Sequence, residues 1–147
     1  MSWLKTAALL MMTTVLFACG EPEEKVPTDP EDVALAFFTA IYVDDNVEKA
    51  LEVSGPDLQD LLSHYRNVTA IKRHVIGMEI ESPDIQVKNS SADFFRKLTD
   101  DVEVELHFSA YIDGRVYKDV RFVIVSQEFQ GQWVVKKVVA DPFASNG

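Results

Sequence analysis

The sequence predicts an α+β fold in which N-terminal helices pack on a curved antiparallel sheet of about four strands. Three observations carry this. Residues 29–65 hold three helical periods in a row before any strong strand signal. Residues 102–112 (VEVELHFSAYI) then alternate apolar and polar without a break, as a strand with one buried face does. Two glycine-bearing pairs, Asp113-Gly114 and Gln130-Gly131, divide the C-terminal part of the chain into short antiparallel neighbours.

The helices have local starts and stops. Asp29-Pro30-Glu31-Asp32 supplies a capping Asp, a proline at the first helical position and acids facing the helix dipole. Val33, Ala36, Phe37, Ala40 and Ile41 come next at helical spacing, and Leu35, Phe38 and Tyr42 widen the stripe. Such a helix is expected to be buried on most of its surface. The corner Asp44-Asp45-Asn46 ends it. Val47, Ala50 and Leu51 form a short second helix stopped at Ser54-Gly55, and Pro56-Asp57 opens a third with Leu58, Leu61, Leu62 and Tyr65 on one side.

Strand signals begin after Tyr65. Val75 to Ser82 alternates loosely and is expected to be a strand ended by Pro83. Ile85 and Val87 suggest a short strand, with Phe94, Phe95 and Leu98 as a helical turn beneath it. Val102, Val104, Leu106, Phe108, Ala110 and Ile112 form the inner face of the alternating stretch, with Glu103, Glu105, His107, Ser109 and Tyr111 outside. A two-residue loop at Asp113-Gly114 would set Leu106 opposite Arg121 and Phe108 opposite Asp119. A three-residue loop that includes Arg115 sets Phe108 opposite Val120, Leu106 opposite Phe122 and Val104 opposite Ile124. Hydrophobic matching favours the three-residue loop. The last strand is expected over Trp133–Ala140.

Ahead of this domain stands a leader. Lys5 is followed by an uncharged apolar run from Thr6 to Ala18, which suits a signal-peptide core and falls short of the ~20 residues of a spanning helix. Ordinary secretory cleavage after Ala18 wants a small residue where Leu16 stands. Leu16-Phe17-Ala18-Cys19 instead resembles the lipobox of bacterial lipoproteins, although Phe17 is bulkier than that family usually carries. The resemblance implies cleavage before Cys19 by a peptidase reading Leu16, Phe17 and Ala18, and lipid on Cys19. Two or three acyl chains, at about 0.8 kcal/mol per buried methylene, make release negligible. Gly20, where Asp would suggest retention in the inner membrane in some bacteria, implies an outer-membrane anchor facing the periplasm. The only cysteine is then consumed, and no disulfide is expected.

The expected organisation is a signal peptide at 1–18, a tether at 19–28, a domain at 29–142 and a tail at 143–147. Loss of residues 1–18 removes Lys5 and no acid, so 14 Lys+Arg become 13 against 24 Asp+Glu and the charge moves from −10 to −11. Such acidity disfavours nucleic-acid and anionic-lipid binding, both of which need basic patches. Residues 20–28 are polar and proline-bearing, an extended tether reaching at most about 30 Å.

Asp29 to Phe38, Asn46 to Leu51 and Gly131 to Val135 together resemble the nuclear transport factor 2-like superfamily, and in particular small bacterial lipoproteins built on that domain. The resemblance runs from Asp29 to about Ala140 and implies a cone of helices over a curved sheet. The superfamily holds isomerases, dehydratases, cyclases and noncatalytic binders, so the fold does not choose among them. Its enzymes place an Asp, His or Tyr inside the cone, whereas the inner face of 102–112 carries no titratable group and, in the favoured register, its partner adds Val120, Phe122 and Ile124. Catalytic candidates reduce to His64, with Tyr42 or Tyr65. Lys72-Arg73-His74, the only basic cluster, reads as a solvated strand start or an anion site. His64, His74 and His107 lack metal-ligand spacing, so neither metal nor other cofactor is expected. Tyr111, Tyr117, Arg121, Val123 and Val125 are assigned to the outer sheet face, either as an interface for a second copy or an envelope protein or as a face that residues 83–100 fold across and bury. The expected function is a lipid-anchored, noncatalytic binding or interaction module, with a small apolar ligand in the cone as one occupant. A small isomerase- or dehydratase-like enzyme using the cone interior, and a structural envelope component, are the alternatives.

Overall fold

The computed structural model describes residues 27–90, 101–128 and 131–139. Leu16, Phe17, Ala18 and Cys19, the turn expected at Phe94, Phe95 and Leu98, and the tail 143–147 lie outside them. Helix α1 spans Pro30–Tyr42, with Pro30 in its first turn, and Asp29 holds the capping position in extended conformation without a side-chain cap bond. Asp45, at φ 48°, turns the chain out of α1. Asn46 caps α2 (Val47–Glu52) by accepting from the Lys49 N–H at 3.0 Å. Helix α3 (Pro56–Tyr65) again opens on a proline and closes on Arg66 in the left-handed conformation.

Past Arg66 the expected order fails. Asn67 caps a further short helix, α4 (Val68–Ile71), which continues into one π-helical turn at Lys72–Ile76 and stops at Gly77, φ 71°. The predicted strand Val75–Ser82 is absent. Its alternation is real, since Met78 and Ile80 are buried while Glu79 and Glu81 are exposed. No ladder forms because the next segment, β1 (Asp84–Ser90), takes the neighbouring strand edge.

The sheet is a meander in the order β1-β2-β3-β4, all antiparallel, with β2 at Asp101–Ile112, β3 at Arg115–Gln127 and β4 at Trp133–Val139. The chain is thus α+β, helices first and sheet second. Helix α1 lies on the inner face. Phe38 meets Phe108 edge to face at 5.0 Å, and Tyr42 lies 5.8 Å from the same ring. Phe37, Phe38, Ile41, Leu106, Val104, Val123 and Val125 are fully buried around them. The buried hydrophobic residues run from Val33 to Val135, so the described chain contains this core.

The β2–β3 register corrects the expected one. The loop is the two-residue Asp113-Gly114, with φ of 49° and 78°, the doubly left-handed turn whose twist matches a hairpin. Phe108 therefore faces Asp119, Leu106 faces Arg121, Val104 faces Val123 and Val102 faces Val125. Hydrophobic matching misjudged this because it treated Arg121 as a residue that must face water. A buried guanidinium is tolerated where carbonyls and a carboxylate take up its protons, as they do here.

At the other edge, the α2–α3 connector lies alongside β4. Gly55 N–H donates to Val135 O and Val135 N–H to Val53 O, each at 2.8 Å, and Ser54 forms a parallel bridge to Val135. A Cβ on Gly55 would come within 3.3 Å of a Val134 methyl, a tight contact that the methyl would have to relieve by a few tenths of an ångström.

Candidate functional site

The hairpin register places charge on the inner face. Arg121 is 7% exposed. Its Nε donates to Ile76 O at 3.1 Å and its Nη2 to Gly77 O at 3.0 Å, while Nη1 donates to Asp119 Oδ1 and Val120 O at 2.7 Å. The guanidinium thus fastens the carbonyl end of the π-helical turn to the sheet. Asp119 also accepts from the Tyr117 hydroxyl and from the Val120 N–H, each at 2.8 Å. Burial opposes its charge, but the bonds from Tyr117, Val120 and Arg121 outweigh that and hold its carboxyl below the usual range.

Of the predicted catalytic residues, His64 and Tyr65 are in contact, while the Tyr42 hydroxyl is engaged elsewhere. Tyr42 is buried, and its hydroxyl donates to Met78 O at 2.6 Å. Burial pushes its ionisation well above the ordinary value of 10.0, so it holds its proton and is a poor base or nucleophile. His64 is exposed in the last turn of α3, edge-on to Tyr65 at 5.2 Å, and Tyr65 stacks on His74 at 5.3 Å. The basic cluster does not form a solvated strand start, because it is helical. Lys72 is 5% exposed beneath the Tyr42 ring, with Asp45 and Glu81 carboxylates 3.5 and 3.6 Å away, and Arg73 forms a two-bond pair with Glu79. Among the described residues no three His, Cys, Asp or Glu side chains are grouped to hold a metal ion.

Tyr42 gives a pH prediction with a fixed sign. A raised folded-state pKa contributes stability that is complete below the unfolded value and lost as pH rises from about 10 through the folded value. Unfolding midpoints should fall above pH ~10, and Tyr42→Phe should flatten that alkaline fall. An unchanged alkaline slope in the variant would assign it to other groups.

The assigned interface is also corrected. Val123, Val125 and Arg121 point inward and are buried, because the register is one residue from that expected. Tyr111 and Tyr117 remain exposed, on opposite faces of the hairpin near its tip. The outer face carries Val120, Phe122 and Ile124 instead, beside Glu105 and His107, whose side chains meet at 2.6 Å.

The cone interior expected to hold an apolar ligand is filled by Phe37, Phe38 and Phe108. Open space lies on the other side of α1. A cleft of about 540 Å³ runs between α1, α2 and the start of β4. Leu35, Ala36, Val53 and Trp133 supply an apolar lining, and Asp32, Asp44 and Glu52 also line it with Lys49, which pairs with Asp44 at 3.1 Å. Pro27, where the described chain begins, also lines it. The volume suits a small organic ligand, for which clefts of about 300–1,000 Å³ are usual. One signal for this cleft was present in the sequence. The apolar stripe of α1 is too wide for a single sheet face, and Leu35 and Ala36 are the surplus.

No family model matches the chain, and no curated protein is similar to it. Fold and cleft define an α+β domain with a packed interior and an external, half-apolar cleft. Among the described residues no helix is long and apolar enough to cross a membrane.

Proposed function

We propose that this chain is a lipid-anchored envelope protein that binds, without catalysis, a small amphipathic ligand in the α1–α2–β4 cleft. The observation that carries the reading is the cleft itself, lined by Leu35, Ala36 and Trp133 and by three carboxylates, one of them paired with Lys49. Such a lining fits a ligand with an apolar body and a neutral or cationic head. The inner-face groups are occupied with one another, and Tyr42 holds its proton, which favours binding over acid–base chemistry. Attachment through Cys19 and a nuclear transport factor 2-like ancestry belong to the same proposal, resting on the sequence resemblances.

Cys19→Ser tests both halves at once. The variant should accumulate as a larger precursor that takes up no labelled palmitate, yet still bind a neutral apolar fluorophore as the wild type does. Normal cleavage before residue 19 in the variant would replace lipidation by ordinary secretion. Absence of fluorophore binding in the wild type would remove the binding reading and leave the anchor untouched.

A further inference from the structure

The β2–β3 hairpin outruns its neighbours. Among the described residues, β1 reaches β2 only as far as Ser109, and β4 reaches β3 only as far as Phe122. Among the described residues, 110–117 therefore pair in the sheet only with one another and form a two-stranded tip, while Arg121 at its base is bonded to the carbonyls of Ile76 and Gly77. The tip is apolar where solvent is expected. Of the six exposed large hydrophobic residues described, four are here: Tyr111 at 76%, Val116 at 61%, and Ile112 and Tyr117 at 40% each. Tyr111 and Val116 are cross-strand partners on one face, and Ile112 and Tyr117 lie on the other.

The two-sidedness decides the kind of partner. A docking surface for a protein or a second copy presents one apolar face and buries it. A tip apolar on both faces is suited to a medium that surrounds it. The bilayer interface is such a medium: tyrosine rings sit at headgroup depth, and aliphatic side chains enter the acyl boundary. Arg115 and Lys118, both exposed, outnumber the exposed Asp113 and leave residues 111–118 at +1, and bases there attract phosphate headgroups. The chain as a whole is acidic at −10, so approach by a broad face is repelled. Charges farther away than a Debye length, about 8 Å at physiological salt, are largely screened from the tip.

We propose that the tip of this hairpin, residues 111–118, is a second membrane contact that inserts into the interface of a bilayer containing anionic lipid. This goes beyond the cleft reading. Pro27 lines the same cleft as Trp133, at the end of the sheet where Trp133 pairs with Gln127 and Ser126 faces Asp101. The tip is at the other end of β2, a strand of 12 residues or roughly 40 Å. Contact at both ends lays the domain lengthwise along the membrane.

The test uses the full chain with Cys19→Ala, so that the apolar leader holds it on vesicles whether or not lipid is ever attached. A single cysteine is placed by Val116→Cys, or by Asp57→Cys on exposed α3 as control, and labelled with an environment-sensitive dye. Vesicles are phosphatidylcholine with phosphatidylglycerol and a spin-labelled quencher lipid. Dye at 116 should shift to the blue and be quenched several-fold more than dye at 57. Arg115→Glu with Lys118→Glu should abolish most of that difference. Equal quenching at the two positions overturns the proposal. A blue shift at 116 without quenching also overturns it, by showing that protein, such as a second copy, covers the tip. Quenching that survives the double charge reversal overturns the part given to the two bases.

Discussion

Val123→Glu is expected to unfold the domain. Val123 is fully buried opposite Val104, with α1 packed on the same face of the sheet. A carboxylate there has no partner and must either stay charged in an apolar site or take up a proton at neutral pH. The loss should reach about 5 kcal/mol or more, among the largest single-residue effects, and leave little cooperative thermal unfolding. Phe122→Glu, one residue along and half-exposed on the outer face, should leave a folded protein. A folded Val123→Glu beside an unfolded Phe122→Glu would restore the three-residue loop and reverse the faces.

Arg121→Ala is the second large effect. It removes both bonds to the carbonyls of Ile76 and Gly77 and leaves Asp119 without its cation. Breaking a buried pair from one side costs about 3–5 kcal/mol. The lower end applies, because the Asp119 side chain remains 19% exposed against 8% for Arg121. Arg121→Leu combined with Asp119→Leu should recover part of the loss, since two apolar side chains need no partners, but the two carbonyls stay unserved. Urea unfolding of the single and double variants measures this. A double variant as unstable as the sum of its parts would show that Arg121 and Asp119 act independently.

The elements legible in the sequence were those set by local chemistry. Pro30 and Pro56 open helices, and strict alternation from Val102 to Phe108 fixes an inner face that the structure buries residue for residue. Decisions that depended on distant partners were not legible. Arg121 reads as a surface residue until Ile76 and Gly77, some 45 positions earlier, are placed within reach of its guanidinium. Val75 and Ile76 read as strand until the capped turn at Asn67 is seen to continue through them as helix. The cleft is tertiary in the same sense, because Ala36, Val53 and Trp133 are far apart in sequence and share nothing but a wall.

Trp133 makes the central claim measurable. The sequence holds two tryptophans, Trp3 and Trp133, so a chain starting at Gly20 has Trp133 alone, in the lining of the cleft. N-phenyl-1-naphthylamine, neutral and apolar, accepts tryptophan emission when bound close by. Titrated into this chain, it should quench Trp133 saturably by energy transfer at one site per chain. Ala36→Phe, which fills the cleft from the exposed side of α1, should abolish the transfer while leaving the thermal unfolding midpoint unchanged. Saturable binding without transfer from Trp133, or transfer that persists undiminished in Ala36→Phe, would place the ligand elsewhere and contradict the account.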